Sequence, residues 1–413
     1  MKNNKLYSII FLVMVIFPWC NTVHAQEILD DYLNIAAENN PLLKARFNDY
    51  LAALEKVPQV GALPDPQLAF GYFIQPVQTR VGPQELRISA TQMFPWFGTL
   101  RARENVAVQT AKAKYELFEE AKSGLFNEVR GTYYNLYFNS EAVSIIHDNI
   151  QILRRFQNLS LAKVETGKVS PVDEFRIEME IGDLENQLAL LRDRQHYLLV
   201  SFRNMLNTEV DNVLLPDTLW NTTPVPGRQA ILDSILMKNH QLLGLELQRE
   251  ALSYEQQVAS KSGKPDFSIG LDYIIVGRGE NNLAGEDAFM FPRIGISIPL
   301  YRNKYRSMVK EAAYREAAKT SEKQDKMNML ETLFEKIWNE LLDADRRITL
   351  YEKQLDLAKK SINLLEVEYA TADKNFEEVL RMERKMLFYS LELERARADK
   401  QAAVSFLDYL MGK

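Results

Sequence analysis

The chain is poor in the residues that carry most covalent and metal chemistry: one cysteine, Cys20, and four histidines in 413 residues. A single thiol forms no intrachain disulfide and no thiolate metal set. His147, His196 and His240 stand far apart, each alone on a helical stretch, without ligand spacing. No glycine-rich phosphate loop is present. Acids follow helical faces, and no pair is isolated in an apolar setting that would tune one carboxyl against another. Met382 and Met386, four apart, have the spacing of a soft Cu(I) site, but both fall on an apolar helix seam and read as core packing. The expectation is therefore no catalytic residue, no bound metal, no cofactor and no enzyme. Cations are also not in excess: 50 Lys and Arg stand against 56 Asp and Glu, a net charge of -6. With no basic stripe interleaved with aromatics, a nucleic-acid partner is not expected. Beyond the N-terminus no long apolar run occurs, so any membrane crossing would have to use strands.

What is present begins with Lys2 and Lys5, an apolar run Leu6 to Phe17, and Val23-His24-Ala25. This is the layout of a signal peptide over 1–25, cut between Ala25 and Gln26. The apolar run is shorter than the roughly 20 residues a spanning helix needs. Acylation of Cys20 after cleavage is the alternative, although Pro18-Trp19 fits such a site poorly.

The rest of the chain repeats itself once. Met93-Phe94-Pro95-Trp96-Phe97 returns as Ser297-Ile298-Pro299-Leu300-Tyr301, and the Thr166 to Arg176 segment returns as Thr371 to Arg381, both about 205 residues downstream. Between the landmarks Leu330, Phe334, Ile337, Leu341, Ala344, Ile348, Tyr351, Leu355, Ala358, Ile362 and Leu365 alternate steps of four and three, a continuous heptad seam. The first half carries the same register from Leu125 to Leu153, with polar faults at Thr132 and Asn139. A returning seam runs from Val379 to Leu410.

The first repeat is placed at 26–226, with a helix over about 27–60, strands about 67–75 and 84–93, a long helix about 99–165, a helix about 172–210 and a linker. The second is placed at 227–413, with a helix over about 228–262, strands about 266–276 and 291–299, a long helix about 303–371 and a helix about 376–411. The long helices would span roughly 100 Å, and the two short helices of each half sum to nearly that length. Ser170-Pro171-Val172-Asp173 supplies an N-cap, a first-turn proline and an early acid for a tight hairpin tip. Asn375 with Glu378 plays that part in the second half.

The four strands alternate with period two. Leu68, Phe70, Tyr72 and Ile74, then Leu86, Ile88 and Ala90, then Phe267, Ile269, Leu271, Tyr273 and Ile275, then Ile294, Ile296 and Ile298 mark apolar faces. An ordinary half-buried sheet shows the same pattern. Strands of about 9 to 11 residues with aromatics near their ends also suit a bilayer. Tyr72, Phe94, Trp96, Phe97, Phe291 and Tyr301 are the interface candidates. Four strands do not close a channel, and open edges in lipid leave backbone groups unpaired, so other copies would have to complete the barrel.

The signal peptide, the duplicated halves, the paired strands, the Gln92 to Arg101 segment and the Gly167 to Asp173 turn together resemble the TolC family of outer-membrane efflux proteins. The resemblance implies a mainly α fold with a small β part: a long α-helical coiled-coil barrel plus a transmembrane β-barrel, four strands per chain, assembled as a homotrimer in the outer membrane with a long periplasmic extension. It also implies a periplasmic adaptor and an inner-membrane pump of the resistance-nodulation-division type as partners. Phe94-Pro95-Trp96-Phe97-Gly98 resembles the heavy-metal cation subgroup, the CusC and CzcC type; a channel for drug export or protein secretion, or a soluble periplasmic coiled-coil scaffold, is the alternative. By position, Gly167, Val169, Ser170, Pro171, Asp173, Asn375, Phe376 and Glu378 would form adaptor-facing tips. Tyr369, Asp373, Glu377 and Arg381 would be gate residues.

Overall fold

The computed structural model describes residues 23–165, 170–209, 212–219, 225–278, 285–371 and 376–413. In order the elements are α1 (Val23–Asn39), α2 (Pro41–Gly61), β1 (Gln67–Thr79), β2 (Gly82–Phe94), α3 (Thr99–Glu165), α4 (Pro171–Leu206), α5 (Arg228–Lys238), α6 (His240–Ser262), β3 (Asp266–Val276), β4 (Ala288–Ser297), α7 (Arg302–Thr371) and α8 (Phe376–Leu410). Of the expected signal segment, only residues 23–25 are described, in the first turn of α1. The expected tip residues Gly167 and Val169, and Asp373 and Asn375, lie outside the described residues.

The two long helices have 67 and 70 residues, roughly 100 Å each. Short helices stack end to end beside them: α2 and α4 along one side of α3, and α6 and α8 in the groove between α3 and α7. The heptad seams explain this packing. Leu330, Phe334, Ile337, Leu341, Ala344, Ala358 and Ile362 of α7 are buried, as are Val379, Leu393, Ala396, Ala403, Leu407 and Leu410 of α8. Antiparallel rungs tie α3 to α8 from one end to the other: Phe156 against Phe376 at 5.4 Å between ring centroids, Tyr137 Oη on Glu394 at 2.8 Å and Tyr409 Oη on Glu120 at 3.0 Å. The polar fault at Asn139 has a physical reason. It is fully buried and its Nδ2 donates to the Leu191 carbonyl of α4 at 3.0 Å, crossing the α3–α4 seam.

The structure corrects the expected single helices at 27–60 and 228–262, each of which is two. The breaks fall at Asn40 and Asn239, both with extended backbone. Asn40 Oδ1 accepts from the amides of Leu42 and Leu43, while its Nδ2 donates to the Met205 carbonyl at the end of α4. Asn239 does the same with Gln241, Leu242 and the Leu410 carbonyl at the end of α8. One asparagine side chain thus caps the start of one helix and the end of the helix stacked on it, satisfying groups that both termini leave free. The end of α4 is also earlier than expected, at Leu206, because Asn207 turns left-handed, with φ 47°, and closes the helix.

The strands form one antiparallel sheet in the order β1-β2-β3-β4. β1 and β2 outrun the expected strands and meet in a two-residue turn, Arg80-Val81, instead of a loop over 76–83. Gly82 makes the tight return possible: its φ is +139° and a Cβ there would collide with the Gly277 carbonyl. β4 begins at Ala288, earlier than the expected 291, because Ala288, Phe289 and Met290 already pair with β3.

Candidate functional site

Pairing in the sheet puts partnered residues on a common face. Phe70, Ile88, Tyr273 and Phe289 make one row across all four strands, and Leu68, Ala90 and Leu271 make another. This apolar face is not covered by any helix: Ile74 is 90% exposed, and Leu68, Phe70, Tyr72, Ile294 and Ile296 are all exposed. Among the described residues the outer strands β1 and β4 each have only one partner. Because β1 continues to Thr79, Tyr72 lies in the middle of the strand and not at its end; Phe291 likewise sits inside β4, at its register shift. Phe94, Trp96, Phe97 and Tyr301 do gather where strands give way to helices. Trp96 stacks on Phe267 at 5.9 Å, its backbone N–H donates to Asp266 at 2.9 Å, and Phe97 and Tyr301 are exposed.

The opposite face of the sheet is polar and cross-linked. Asp272 on β3 is fully buried and accepts from Ser89 Oγ and Arg87 Nη2 of β2, each at 2.5 Å. Arg293 Nε of β4 stands 3.7 Å away, and the same guanidinium donates to Thr91. A buried carboxylate is tolerated only with such partners, so this cluster staples three strands in register.

At the far end of the long helices lies the hairpin tip. Ser170 caps α4, its Oγ accepting from the Val172 amide at 3.2 Å, with Pro171 in the first turn. Tyr369 is buried against Phe376, 5.1 Å between ring centroids, and Lys163 Nζ lies 4.3 Å from the centre of its ring. Burial pushes the Tyr369 phenol up from its ordinary range. Arg176 Nη1 bridges two hairpins, 3.5 Å from Asp173 of its own helix and 3.5 Å from Glu377 of α8. Burial raises the Asp173 carboxyl more than Arg176 lowers it. Arg384 of α8 joins Glu180 of α4 at 2.5 Å. Among the described residues Arg381 Nη2 lies 3.8 Å from Glu378 Oε1, both side chains being exposed on α8.

Two turns into α8, Glu383 is buried and accepts from Asn149 Nδ2 of α3 at 3.3 Å. Burial and Glu366 of α7 push its carboxyl up to about 7, against the opposing pull of Asn149 and Arg155. Sequence reasoning missed Lys163, Arg176, Asn149 and Glu383. Only Arg176, which the repeat aligns with Arg381, had a signal in the sequence. It also missed a second apolar stripe on α7, where Leu350, Leu357 and Leu364, seven apart, are all exposed. Among the described residues no group of three or more His, Cys, Asp or Glu is arranged to hold a metal, and no helix is long and apolar enough to cross a membrane.

Residues 32–208 match the sequence model of the family described as outer membrane efflux protein. Comparison with curated protein sequences gave no match. Among solved structures, the chain is similar to the outer membrane protein VceC of Vibrio cholerae, at a TM-score of 0.78 and 14% identity over 94% of this chain and 97% of that one. It is similar to the outer-membrane channel OprN at 0.79 and 15% identity, over 95% and 92% of the two chains. For CusC the values are 0.76 and 15%, over 93% and 92%. At these identities the likeness establishes the fold.

Proposed function

We infer that this chain is an outer membrane efflux protein: one subunit of a homotrimeric TolC-type channel that passively conducts substrate through the outer membrane. The observation that carries the reading is a matched pair of open flanks. On one flank lie the free edge of β1 and the exposed apolar residues Leu42 and Phe47 of α2 and Phe175, Met179, Leu190 and Tyr197 of α4. On the other lie the free edge of β4 and the stripe Leu350, Leu357 and Leu364 of α7. Two different flanks, each unfinished at both strand and helix level, suit a head-to-tail ring, in which one flank of each copy meets the other flank of the next. Ring closure pairs β4 of one copy with β1 of the next, removing edges that lipid would not tolerate. The apolar face then meets lipid, and the face bearing Arg87, Asp272 and Arg293 lines the lumen. The helices continue the duct into the periplasm.

The tip is where we place the gate and the contact with a periplasmic adaptor, which couples the channel to an inner-membrane pump of the resistance-nodulation-division type. Ser170, Pro171 and Glu378 form the described part of the docking face, while Asp173 and Phe376, both buried, support it from beneath. Tyr369 and Glu377 take part in closing the duct, together with Lys163 and Arg176. Arg381, exposed one turn beyond Glu377, is proposed to take part in the same gate. The transported substrate is proposed to be heavy-metal cations, supported by the Phe94-Pro95-Trp96-Phe97-Gly98 segment.

The test is to express the full-length chain, isolate the outer membrane, and determine subunit number and single-channel conductance after reconstitution. A conducting trimer is expected. A species released without detergent and lacking conductance would leave a periplasmic coiled-coil scaffold as the better reading. A deletion strain sensitised to metal salts supports the cation assignment, whereas sensitivity to organic toxicants alone overturns it in favour of drug export.

A further inference from the structure

Where the sheet passes into the helices there is a cavity of about 700 Å³ between the α6–β3 corner and the start of α7. Lys264, Arg302, Arg306 and Lys310 line it, together with Ile298, Pro299, Val309 and the Tyr305 ring, and no acid does. The imbalance is written into the sequence: from Ala288 through Lys310 there is no Asp or Glu. Among the described residues none of the four cations enters a salt bridge. Farther along α7, Arg315, Lys319, Lys323, Lys336, Arg346, Arg347 and Lys360 pair with carboxylates, whereas Lys326, Lys353 and Lys359, like the cavity cations, enter no salt bridge among the described residues. The first turn of α7 lines the cavity, which adds the positive end of a 70-residue helix to the same spot.

We propose that this cavity binds the phosphate headgroup of an anionic phospholipid, a site distinct from both the lumen and the hairpin tip. The inference rests on the outer-membrane reading, which puts the exposed residues Ile298, Leu300, Tyr301 and Phe97 at the edge of the bilayer. The cations then sit at headgroup depth. The half-apolar lining selects a lipid over free phosphate: Ile298, Pro299 and Val309 offer surface to the first carbons of a chain, and the cations face the phosphodiester. Lysine and arginine near an anionic membrane surface each add to the attraction, and the two signals together hold a ligand that neither holds alone.

The experiment uses the purified full-length oligomer in non-ionic detergent, with native mass spectrometry to read bound dioleoyl phosphatidylglycerol, dioleoyl phosphatidylcholine and inorganic phosphate. Phosphatidylglycerol is expected to bind in preference to both. The combined variant Arg302→Gln, Arg306→Gln, Lys310→Gln weakens it on the order of a hundredfold, and Lys310→Gln alone about fivefold. Arg302→Lys with Arg306→Lys retains binding, and Lys353→Gln, far along α7, has no effect. Equal retention of phosphatidylglycerol by wild type and the combined variant overturns the proposal. So does inorganic phosphate competing as well as the lipid. If the cations instead pair with Asp65 of a neighbouring copy, the combined variant weakens the oligomer and leaves lipid retention unchanged, which also overturns it. Single-channel conductance separates this failure from failure of the channel reading: a conducting oligomer with no lipid preference sinks only the site, whereas a soluble, non-conducting species sinks both.

Discussion

Replacing Glu383 by Gln gives a pH-dependent change of defined sign. The carboxyl is 2% exposed, between Asn149 and Arg155 of α3 and Glu366 of α7, and is held up to about 7 against an ordinary 4.5. That gap corresponds to about 3 kcal/mol. The packed state therefore keeps a proton that the opened state releases. Below about pH 4.5 both states are protonated and the residue has no differential effect. As pH rises toward about 7 the packed tip loses stability, and above that it carries the whole penalty of a buried, repelled carboxylate. Glutamine has the same shape, stays neutral and still accepts from Asn149. The expected result is that wild type and Glu383→Gln behave alike near pH 4.5, and that by pH 8 the variant's tip is more stable by about 3 kcal/mol. Hydrogen exchange of the α8 amides from Phe376 to Leu387, corrected for intrinsic rates, measures this directly as local opening. Parallel pH profiles for the two proteins would refute the reasoning, because they would mean that Glu383 is not the group that titrates.

Three further outcomes follow from the same contacts. Arg176→Ala removes the bridge between Asp173 and Glu377; since these groups are partly exposed, stability changes by at most about 1 kcal/mol, but reconstituted channels should open more often. Unchanged open probability would remove Arg176 from the gate. Asp272→Ala leaves Arg87 and Arg293 without their shared carboxylate and should loosen the register of β2, β3 and β4, seen as a lower dissociation temperature of the oligomer on semi-native gels. Leu357→Glu puts a charge into the exposed α7 stripe without touching the seam that packs α7 on α8, so the subunit should keep its helical circular dichroism while sedimenting as a monomer. A variant that still sedimented as a trimer would disconnect the stripe from assembly.

Much of the architecture is legible in the sequence because periodicity is a local property. Leu330, Phe334, Ile337 and Leu341 recur at heptad spacing, and only a helix brings such residues onto one buried stripe. Leu68, Phe70 and Tyr72 alternate, and only a strand puts them on one face. The Asn40 break has a local signal in Asn40-Pro41, an N-cap followed by a first-turn proline, whereas at Asn239 the sequence shows only an asparagine that costs little by propensity; the second bond of each side chain, to the helix stacked on it, exists only because the end of α4 or α8 arrives beside it. The same holds for the site. Ser170-Pro171 announces a helix start from its own chemistry, but Asp173 meets Arg176 and Glu377, and Asn149 meets Glu383, only when helices far apart in sequence pack together.

Helix, strand and the duplication of both were therefore determined by the sequence alone, through spacings that each segment carries within itself. What only the tertiary structure decided is which apolar stripes are spent inside the subunit and which remain open. Leu341 and Leu350 are equally apolar and lie on the same helix; the first is buried against the returning helix and the second is exposed on the flank. Hydrophobicity is a property of the residue, whereas burial depends on what packs against it, and for Leu350 nothing within a single chain does.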